Sequence, residues 1–282
     1  MPLSRKIDFA VIFTVKNANP NGDPLNSNRP RICDDGKGEV TDVCIKRKLR
    51  DRILELSQKK GAKPGLVTFV QSDDRKIDDA TSLKDRAEKA LGKDLGEVDI
   101  VNEACEKWFD VRAFGQLFAY KGKKKGDGTG VSVGIRGPVT IQSAFSVEPV
   151  NITSTQITKS VSGEDGKDGN KASDTMGMKH RVDSAVYVFF GSMNPQLSER
   201  TGFSDEDAKV IKSVLPRIFE NDASSARPEG SMGVHKLFWW EHNCKSGQYS
   251  SAKVHGSLKV NGDGSYSLTN LDGLVPEEID GF

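Results

Sequence analysis

The chain has 282 residues and a formal net charge of +1, from 41 Lys and Arg against 40 Asp and Glu. Hydrophobic residues make up 35% and charged residues 29%, which excludes a membrane-embedded or wholly disordered chain and favours a soluble globular protein. A net charge near zero argues against a nucleic-acid partner, unless the charges are segregated along the sequence.

The first predicted elements are a central strand and a polar loop. Residues 8–15 are β-branched, aromatic and almost continuously apolar, as in a strand at the centre of a sheet. The strand ends at residues 17–24, Asn-Ala-Asn-Pro-Asn-Gly-Asp-Pro, where Asn, Gly and Pro each favour turns. The polar loop then continues through Arg29 and Arg31.

A helix is predicted next, from Thr41 or Asp42 to Ser57. Either of its first residues can cap it by accepting a hydrogen bond from an unpaired backbone N–H. Its apolar stripe is formed by Ile45, Leu49, Ile53 and Leu56. Three cations fall on an arc on the other side of the helix: Lys46, Arg47 and Arg50.

Residues 72–110 follow as a polar insertion, helical or irregular, with 12 acidic and 7 basic side chains. The next ten residues are apolar again, and residues 121–128 form a loop rich in Gly and Lys. Strands are predicted at residues 131–135, 139–147 and 185–190. Between the last two, residues 151–182 are predicted to form a projecting β-hairpin, with arms at 152–161 and 176–182 and a tip at 162–170 that is too polar to pack.

The C-terminal part is predicted to contain a helix, a strand and a tail. The helix spans Ser204–Glu220, with Ser204 as its cap and a kink or break at Pro216. Residues 234–242 form the strand, and residues 269–282, with four acids and no bases, favour a peripheral solvated segment. This order of elements predicts an α+β fold around an antiparallel sheet, compatible with β-α-β-β-α-β connectivity.

Sequence motifs for metal binding, cofactor binding and catalysis are lacking. The cysteines, Cys33, Cys44, Cys105 and Cys244, contain no C-x-x-C pair, and because a strand is predicted almost directly after Met1 we expect no signal peptide. We therefore expect reduced thiols in the cytoplasm. The cysteines and histidines have no metal-ligand spacing, and the Gly-rich residues 126–130 lack the strand–turn–helix context of a phosphate-binding loop. We expect no metal and no cofactor.

Acidic residues in the first loops allow two interpretations. Asp23, Asp34 and Asp35 lie at or next to Gly- and Pro-containing turns, where Asp ordinarily stabilises the turn. Beside bound RNA, such an aspartate could instead act in strand cleavage. The turn role is the simpler explanation, because it needs no partner.

Basic residues are concentrated in two stretches. Residues 41–60 carry 7 cations against 3 acids, and residues 121–136 carry 5 against 1. A charged helix face is often only solvated, but here the preceding loop adds the amides of Asn19 and Asn21, which can donate to phosphate and sugar oxygens. Together with the two arginines of the same loop, this pattern indicates a surface that holds a nucleic-acid backbone without reading its bases.

The predicted hairpin offers a second candidate contact. In its C-terminal arm, residues 176–181 read Met-Gly-Met-Lys-His-Arg, which puts flexible apolar side chains beside cations. Met can wedge against an unstacked base, while Lys or Arg binds the adjoining phosphate. An ordinary edge strand with a basic end is the other interpretation.

These segments together resemble the repeated backbone subunit of the type I-C CRISPR Cascade complex. The matching stretches, in order, are residues 17–24 with 28–31, 41–50, 110–116, 137–138 with Gln142, 156–158, 175–180 and 187–191. Each stretch is short, but the ordered set spans most of the chain. The K/R-G-F/Y-G/A-F-V signature of an ordinary RNA-recognition motif (RRM) is lacking, which fits a protein that leaves sequence recognition to base pairing.

The resemblance implies a modified RRM or ferredoxin-like palm over residues 1–282, with a finger-type insertion at about 72–110 and a thumb hairpin at about 151–182. It also implies a non-catalytic scaffold in antiviral defence, without a membrane partner. Copies of the subunit are expected to assemble head to tail along one guide RNA, together with other Cascade subunits. Each thumb is expected to displace one nucleotide, so that the bases between can pair with target DNA.

The resemblance also implies which residues contact the guide RNA. In the palm these are Asn19, Asn21, Arg31, Lys46, Arg47 and Arg50. Arg112 and Gln116 are expected near the RNA strand. The expected thumb contacts are Met176, Met178, Lys179 and His180. Two other functions remain open: an RNA-cleaving backbone subunit resembling those of type III complexes, with Asp23 or Asp35 acting, and an unrelated metal- or cofactor-dependent enzyme.

Overall fold

The computed structural model describes residues 1–92, 97–120, 131–158 and 176–282. The helices are α1 (Asp42–Ser57), α2 (Leu83–Leu91), α3 (Glu97–Lys107), α4 (Phe109–Phe114), α5 (Pro195–Thr201), α6 (Asp205–Val214) and α7 (Ser251–Gly256). The strands are β1 (Ile7–Ala18), β2 (Gly22–Asp23), β3 (Arg29–Pro30), β4 (Lys37–Val40), β5 (Gly115–Tyr120), β6 (Val131–Arg136), β7 (Val139–Ile141), β8 (Ala144–Pro149), β9 (Ile152–Thr158), β10 (Met176–Met193), β11 (Met232–Glu241), β12 (Leu258–Val260), β13 (Tyr266–Leu268) and β14 (Glu277–Asp280).

The main sheet of the described residues has eight strands, and its longest path runs β14-β11-β1-β10-β8-β4. β7 and β9 also pair with β10, and every pairing is antiparallel. β1 lies between β10 and β11, where Phe13 faces Tyr187 and Phe9 faces Trp239. These ring pairs stack with centroids 5.2 and 5.8 Å apart, a geometry that stabilises cross-strand neighbours. The predicted α+β fold around an antiparallel sheet is confirmed.

Both faces of β1 are covered. Phe9, Val11 and Phe13 lie in the main core, against α1, α4 and α6. The alternate residues Ala10 and Ile12 lie in a second core on the opposite face, which α7, β12 and β13 enclose. A strand buried on both faces carries no polar alternation, which explains its almost continuous apolar sequence.

The C-terminal tail completes this second core, so the prediction of a peripheral solvated segment for residues 269–282 is wrong. Leu271 and Leu274 are buried in it. β14 then pairs with β11 as an edge strand of the main sheet. The acidic residues of the tail conceal this role, because an edge strand needs only a few apolar anchors and tolerates charge on its outer side.

Helix α1 forms as predicted. Thr41 caps it: its hydroxyl oxygen accepts from the backbone N–H of Cys44 at 3.3 Å. Ile45, Leu49 and Ile53 of the predicted stripe are buried in the main core.

In the insertion at residues 72–110, the described residues include α2 and α3, which belong to a small third core. α2 and α3 pack there against β5 and β6, around a cluster of the rings of Phe69, Trp108 and Phe118. The insertion is therefore polar only in composition. The apolar residues 111–120 divide between the end of α4 and β5.

The predicted helix at residues 204–220 is shorter than expected. Ser204 forms a capping box with Asp207, and α6 ends at Val214. The chain continues as a 3-10 turn, Leu215–Arg217, because Pro216 cannot extend the α-helical hydrogen bonds. The short helix α5 just before it, capped by Asn194, was not predicted.

The predicted hairpin consists of β9 and the first part of β10, paired from Met176 opposite Thr158 to Val182 opposite Ile152. β10 then runs without a break into the centre of the sheet, so the hairpin is an extension of the core strands. The predicted tip at 162–170 and the loop at 121–128 lie outside the described residues. Among the helices of the described part of the chain, none is long and apolar enough to cross a membrane.

Candidate nucleic-acid interface

The first loop is held to the body of the protein by its own amide side chains. Asn19 is buried and donates through Nδ2 to the carbonyl oxygen of Asn28 at 2.7 Å. Oδ1 of Asn21 accepts from both the backbone N–H and the hydroxyl of Thr41, each at 3.0 Å. The two amides predicted to contact RNA therefore shape the loop and tie it to the start of α1, and that is where the structure places their hydrogen bonds.

The two arginines of this loop differ in their surroundings. Arg31 lies near Asp23, with Nη2 3.4 Å from Oδ1, and its backbone N–H donates to the carbonyl oxygen of Asn21. Arg29 is exposed, and its Nη2 donates to the hydroxyl oxygen of Ser154 on β9 at 3.1 Å. The side chain of Arg29 thus bridges the first loop and the base of the hairpin.

The hairpin carries its candidate contacts on both faces. Met176, Met178 and His180 alternate with Gly177 and Lys179, so the first three share one face. The methionines are 67% and 56% exposed, whereas His180 is buried, with Nδ1 2.8 Å from the hydroxyl of Ser154. Burial and this hydrogen bond make His180 part of the hairpin's support, and its contact with RNA stays a prediction.

Two of the predicted cations of α1 are partly accessible. Nζ of Lys46 lies 2.9 Å from a carboxylate oxygen of Asp42. Arg47 is 45% exposed and bonds Asp51 through Nε at 2.9 Å, while its Nη2 lies 3.5 Å from Asp74. A hydrogen bond from Ser72 and the nearby arginines hold the pKa of Asp74 below its usual range. Both cations can exchange a carboxylate for a phosphate at the surface.

Arg50, the third cation, faces inward. Its Nε donates to Asp110 at 2.8 Å, and its guanidinium lies over the ring of Phe114. The same carboxylate accepts from the backbone N–H groups of Phe69 and Val70 at 2.6 and 3.1 Å. This pair joins α1, α4 and the segment before the insertion, which gives Arg50 a structural role, and the RNA contact predicted for it stays a prediction.

Arg112 is likewise largely buried and pairs with a carboxylate, so its predicted contact with RNA also stays a prediction. Its Nε and Nη2 donate to the two carboxylate oxygens of Asp207 at 3.1 and 2.8 Å, and its Nη1 donates to the carbonyl oxygen of Cys105. The side chain is 10% exposed and joins α4 to α6. Gln116 is half-buried on β5 and donates to the backbone of Leu117, away from the hairpin contacts described above.

The aspartates considered for cleavage stabilise turns. Oδ1 of Asp23 accepts from the backbone N–H of Leu25 at 3.2 Å, and Oδ1 of Asp35 accepts from that of Lys37 at 3.1 Å. Within the described residues, no three His, Cys, Asp or Glu side chains are grouped as metal ligands. The four cysteines are free thiols.

A buried polar cluster lies at the opposite end of β1. Nε2 of His242 is 2.9 Å from Asp8, and the backbone N–H of Gln248 donates to Nδ1 of the same ring, which makes His242 the neutral tautomer with its proton on Nε2. Burial alone would raise the pKa of Asp8, but hydrogen bonds from His242 and His255 hold it well below its usual range. The cluster links β1, the end of β11 and α7, which gives His242 a structural role.

Comparison with known proteins gives one family. The sequence model of CRISPR-associated protein Cas7 matches residues 5–272. A curated relative, the CRISPR-associated protein Cas7 of Haloferax volcanii, is 23% identical over 293 residues, which cover 98% of this chain and 81% of the relative.

Three solved structures are similar in fold. A chain of a CRISPR RNA-guided surveillance complex in a pre-nicking state has a TM-score of 0.46 and 16% identity, over 83% of this chain and 75% of its own. A chain of a second CRISPR RNA-guided surveillance complex has a TM-score of 0.44 and 16% identity, over 95% of this chain and 77% of its own. A chain of a type III-B Cmr-beta complex bound to cognate target RNA has a TM-score of 0.42 and 10% identity, over 83% of this chain and 61% of its own.

Proposed function

This chain belongs to the Cas7 family of CRISPR-associated proteins, and we propose that it is the guide-RNA-binding backbone subunit of a type I-C Cascade complex. In this proposal, copies of the chain polymerise head to tail along one guide RNA, and other Cascade subunits complete the complex. The β9–β10 hairpin is the thumb, and residues 72–110 are the finger insertion of an RRM-like palm. The bases between thumbs pair with target DNA.

The observation that carries this proposal is the contact between the first loop and the base of the hairpin. Arg29 on the loop and Ser154 on β9 are hydrogen-bonded, so the amide-rich loop and the strand bearing Met176 and Met178 form one continuous surface. Lys46 and Arg47 adjoin it through the bond from Thr41 to Asn21 at the start of α1. A backbone could follow the cations while the methionines wedge against an unstacked base.

The second core supports reading of backbone and not of bases. An ordinary RRM stacks bases on aromatic side chains of an open sheet face. Bases have no access to this face of β1, because Ala10, Ile12 and Trp240 are packed beneath α7 and the C-terminal tail. In this proposal the RNA contacts come from the first loop, the start of α1 and the hairpin, where the described side chains are cations, amides and methionines.

The test is the RNA content of the purified chain, from its absorbance at 260 and 280 nm, followed by sizing of the extracted RNA. We expect Lys46→Glu/Arg47→Glu to lower RNA retention, and each lost phosphate contact to reduce the slope of log affinity against log salt by about 0.7. The matched control is Lys63→Glu/Lys209→Glu, which removes two cations that also pair with a carboxylate, that of Glu206. Equal RNA content in all three proteins would refute the role of α1.

The proposed scaffold is non-catalytic. The side chains of Asp23 and Asp35 bond to the backbone of their own turns, which supports their turn role. We expect the assembled complex to leave a complementary target RNA intact. Periodic cuts in that RNA that are lost in Asp23→Ala or Asp35→Ala would favour the cleaving subunit instead.

A further inference from the structure

The candidate is the hydrogen-bonded chain Arg29–Ser154–His180, where the first loop meets the hairpin. Arginine can only donate, so the hydroxyl oxygen of Ser154 accepts from Nη2 of Arg29 at 3.1 Å. The hydroxyl proton of Ser154 is then free to bond Nδ1 of His180, 2.8 Å away. His180 is 8% exposed and lies directly opposite Ser154 in the strand pairing, so this end of the chain is anchored.

The backbone of Arg29 is fixed as well. Arg29 pairs with Asp23 between β3 and β2, and the next residue, Pro30, is buried where β3 packs against β10. An arginine whose backbone is fixed and whose guanidinium already makes one hydrogen bond loses little conformational freedom when it binds a ligand. Its remaining N–H groups are left for solvent or for a ligand.

The charge of Arg29 is also uncompensated within the described residues. Arg31, Lys46, Arg47 and Arg50 each have a carboxylate oxygen within 4 Å, whereas Arg29 has no such partner among the described carboxylates. An anion that binds Arg29 therefore displaces water and not a carboxylate. The planar fork of N–H groups matches two oxygens of one phosphate.

We propose that Arg29 binds a phosphate of the RNA backbone at the junction of the first loop and the hairpin, and that Ser154 and His180 are positioning residues for its guanidinium. The inference rests on the proposed function and assigns one phosphate to Arg29, a residue that the sequence pattern places in the basic loop and that is not among the guide-RNA contacts implied by the resemblance. One phosphate at this point touches a side chain that joins loop and hairpin, so RNA binding also fixes the direction in which the hairpin projects.

The test measures binding of a labelled single-stranded oligouridylate to the full chain over a series of salt concentrations. We expect Arg29→Ala to weaken binding about tenfold and to lower the salt slope by about 0.7, as for one lost charged contact. Ser154→Ala keeps the charge, so we expect a loss of roughly threefold with an unchanged slope. Ser154→Thr retains the hydroxyl on a strand position and should restore the affinity.

The matched control is Arg200→Ala, which removes an exposed cation on α5 that forms no ion pair with a described residue. Equal affinity and slope for Arg29→Ala and Arg200→Ala would overturn the inference while leaving RNA binding by the chain intact. A loss confined to complementary DNA binding by the RNA-loaded complex would also overturn it, since the phosphate would then belong to the target strand. No RNA binding by the unaltered chain would refute the proposed function itself.

Discussion

Replacing Arg112 tests whether this side chain stabilises the fold or contacts RNA. Arg112 makes two parallel hydrogen bonds to Asp207, and the two side chains are only 10% and 12% exposed. Asp207 also accepts from the backbone N–H and hydroxyl of Ser204 at the start of α6. In Arg112→Ala, the carboxylate keeps these Ser204 contacts but loses its cation.

The cost can be worked from these contacts. Removing one member of a buried ion pair costs about 3–5 kcal/mol, and the retained Ser204 bonds place Arg112→Ala near about 3 kcal/mol. Asp207→Ala also removes the capping box, which adds about 1 kcal/mol. The double variant buries neither charge unpaired, so we expect it to lose about 2 kcal/mol less than the sum of the single losses.

The assay is urea unfolding of the four proteins, with RNA content measured per folded molecule. We expect unfolding at lower urea for each single variant, a double variant close to the worse single one, and unchanged RNA content. Arg200→Ala is the control and should stay within about 0.5 kcal/mol. Wild-type stability together with lost RNA in Arg112→Ala would refute the structural assignment and restore the RNA contact.

Three further outcomes are expected. Asp110→Asn should lower the free energy of unfolding by about 3 kcal/mol, because the amide nitrogen would face the guanidinium and a backbone N–H; urea unfolding checks this. Burial raises the pKa of Cys105 to about 11, so its thiol should resist alkylation at pH 8 until the chain unfolds. The thiol ionises at lower pH in the unfolded chain, so the free energy of unfolding measured by urea should fall from pH 9 to 11, and it should fall less in Cys105→Ala than in the wild type. A Cβ at Gly191 would lie 2.2 Å from the ring of Phe9, whereas Gly233 faces open space; Gly191→Ala should therefore lower the thermal midpoint, and Gly233→Ala should change it little.

The parts predicted from sequence are those that local patterns determine. The stripe at Ile45 and Leu49 and the cap at Thr41 are enough to specify α1, because burial periodicity and capping act within a few turns. The second core was missed because its anchors, Leu271 and Leu274, are isolated apolar residues in an acidic tail. Nothing local distinguishes such anchors from ordinary exposed leucines.

The sequence does not reveal which way a cation points where tertiary packing decides it. Helical spacing places Arg50 opposite the apolar stripe, but it does not reveal that α4 brings the carboxylate of Asp110 to that side. His180 looked exposed because the hairpin was taken as a free extension. The pairing of β1 with β10 continues in register to Ala18 and Val182, which are buried in the main core, and His180 follows Val182 on the same face of β10.

With nearly equal numbers of acidic and basic residues, most cations near the candidate interface are paired with a carboxylate. The carboxylate partner of each cation then ranks these cations for RNA binding. A phosphate at Nη2 of Arg47 replaces only Asp74 while Nε keeps its bond to Asp51, and this exchange costs little because Arg47 and Asp74 are well exposed and such pairs contribute at most about 1 kcal/mol. At Arg50 the same exchange would strip a buried carboxylate, that of Asp110, of its cation, which costs several times more. At Arg29 no described carboxylate has to leave. Contributions to RNA affinity should therefore fall from Arg29 to Arg47 to Arg50, an order that neither net charge nor the count of cations in a helix can predict.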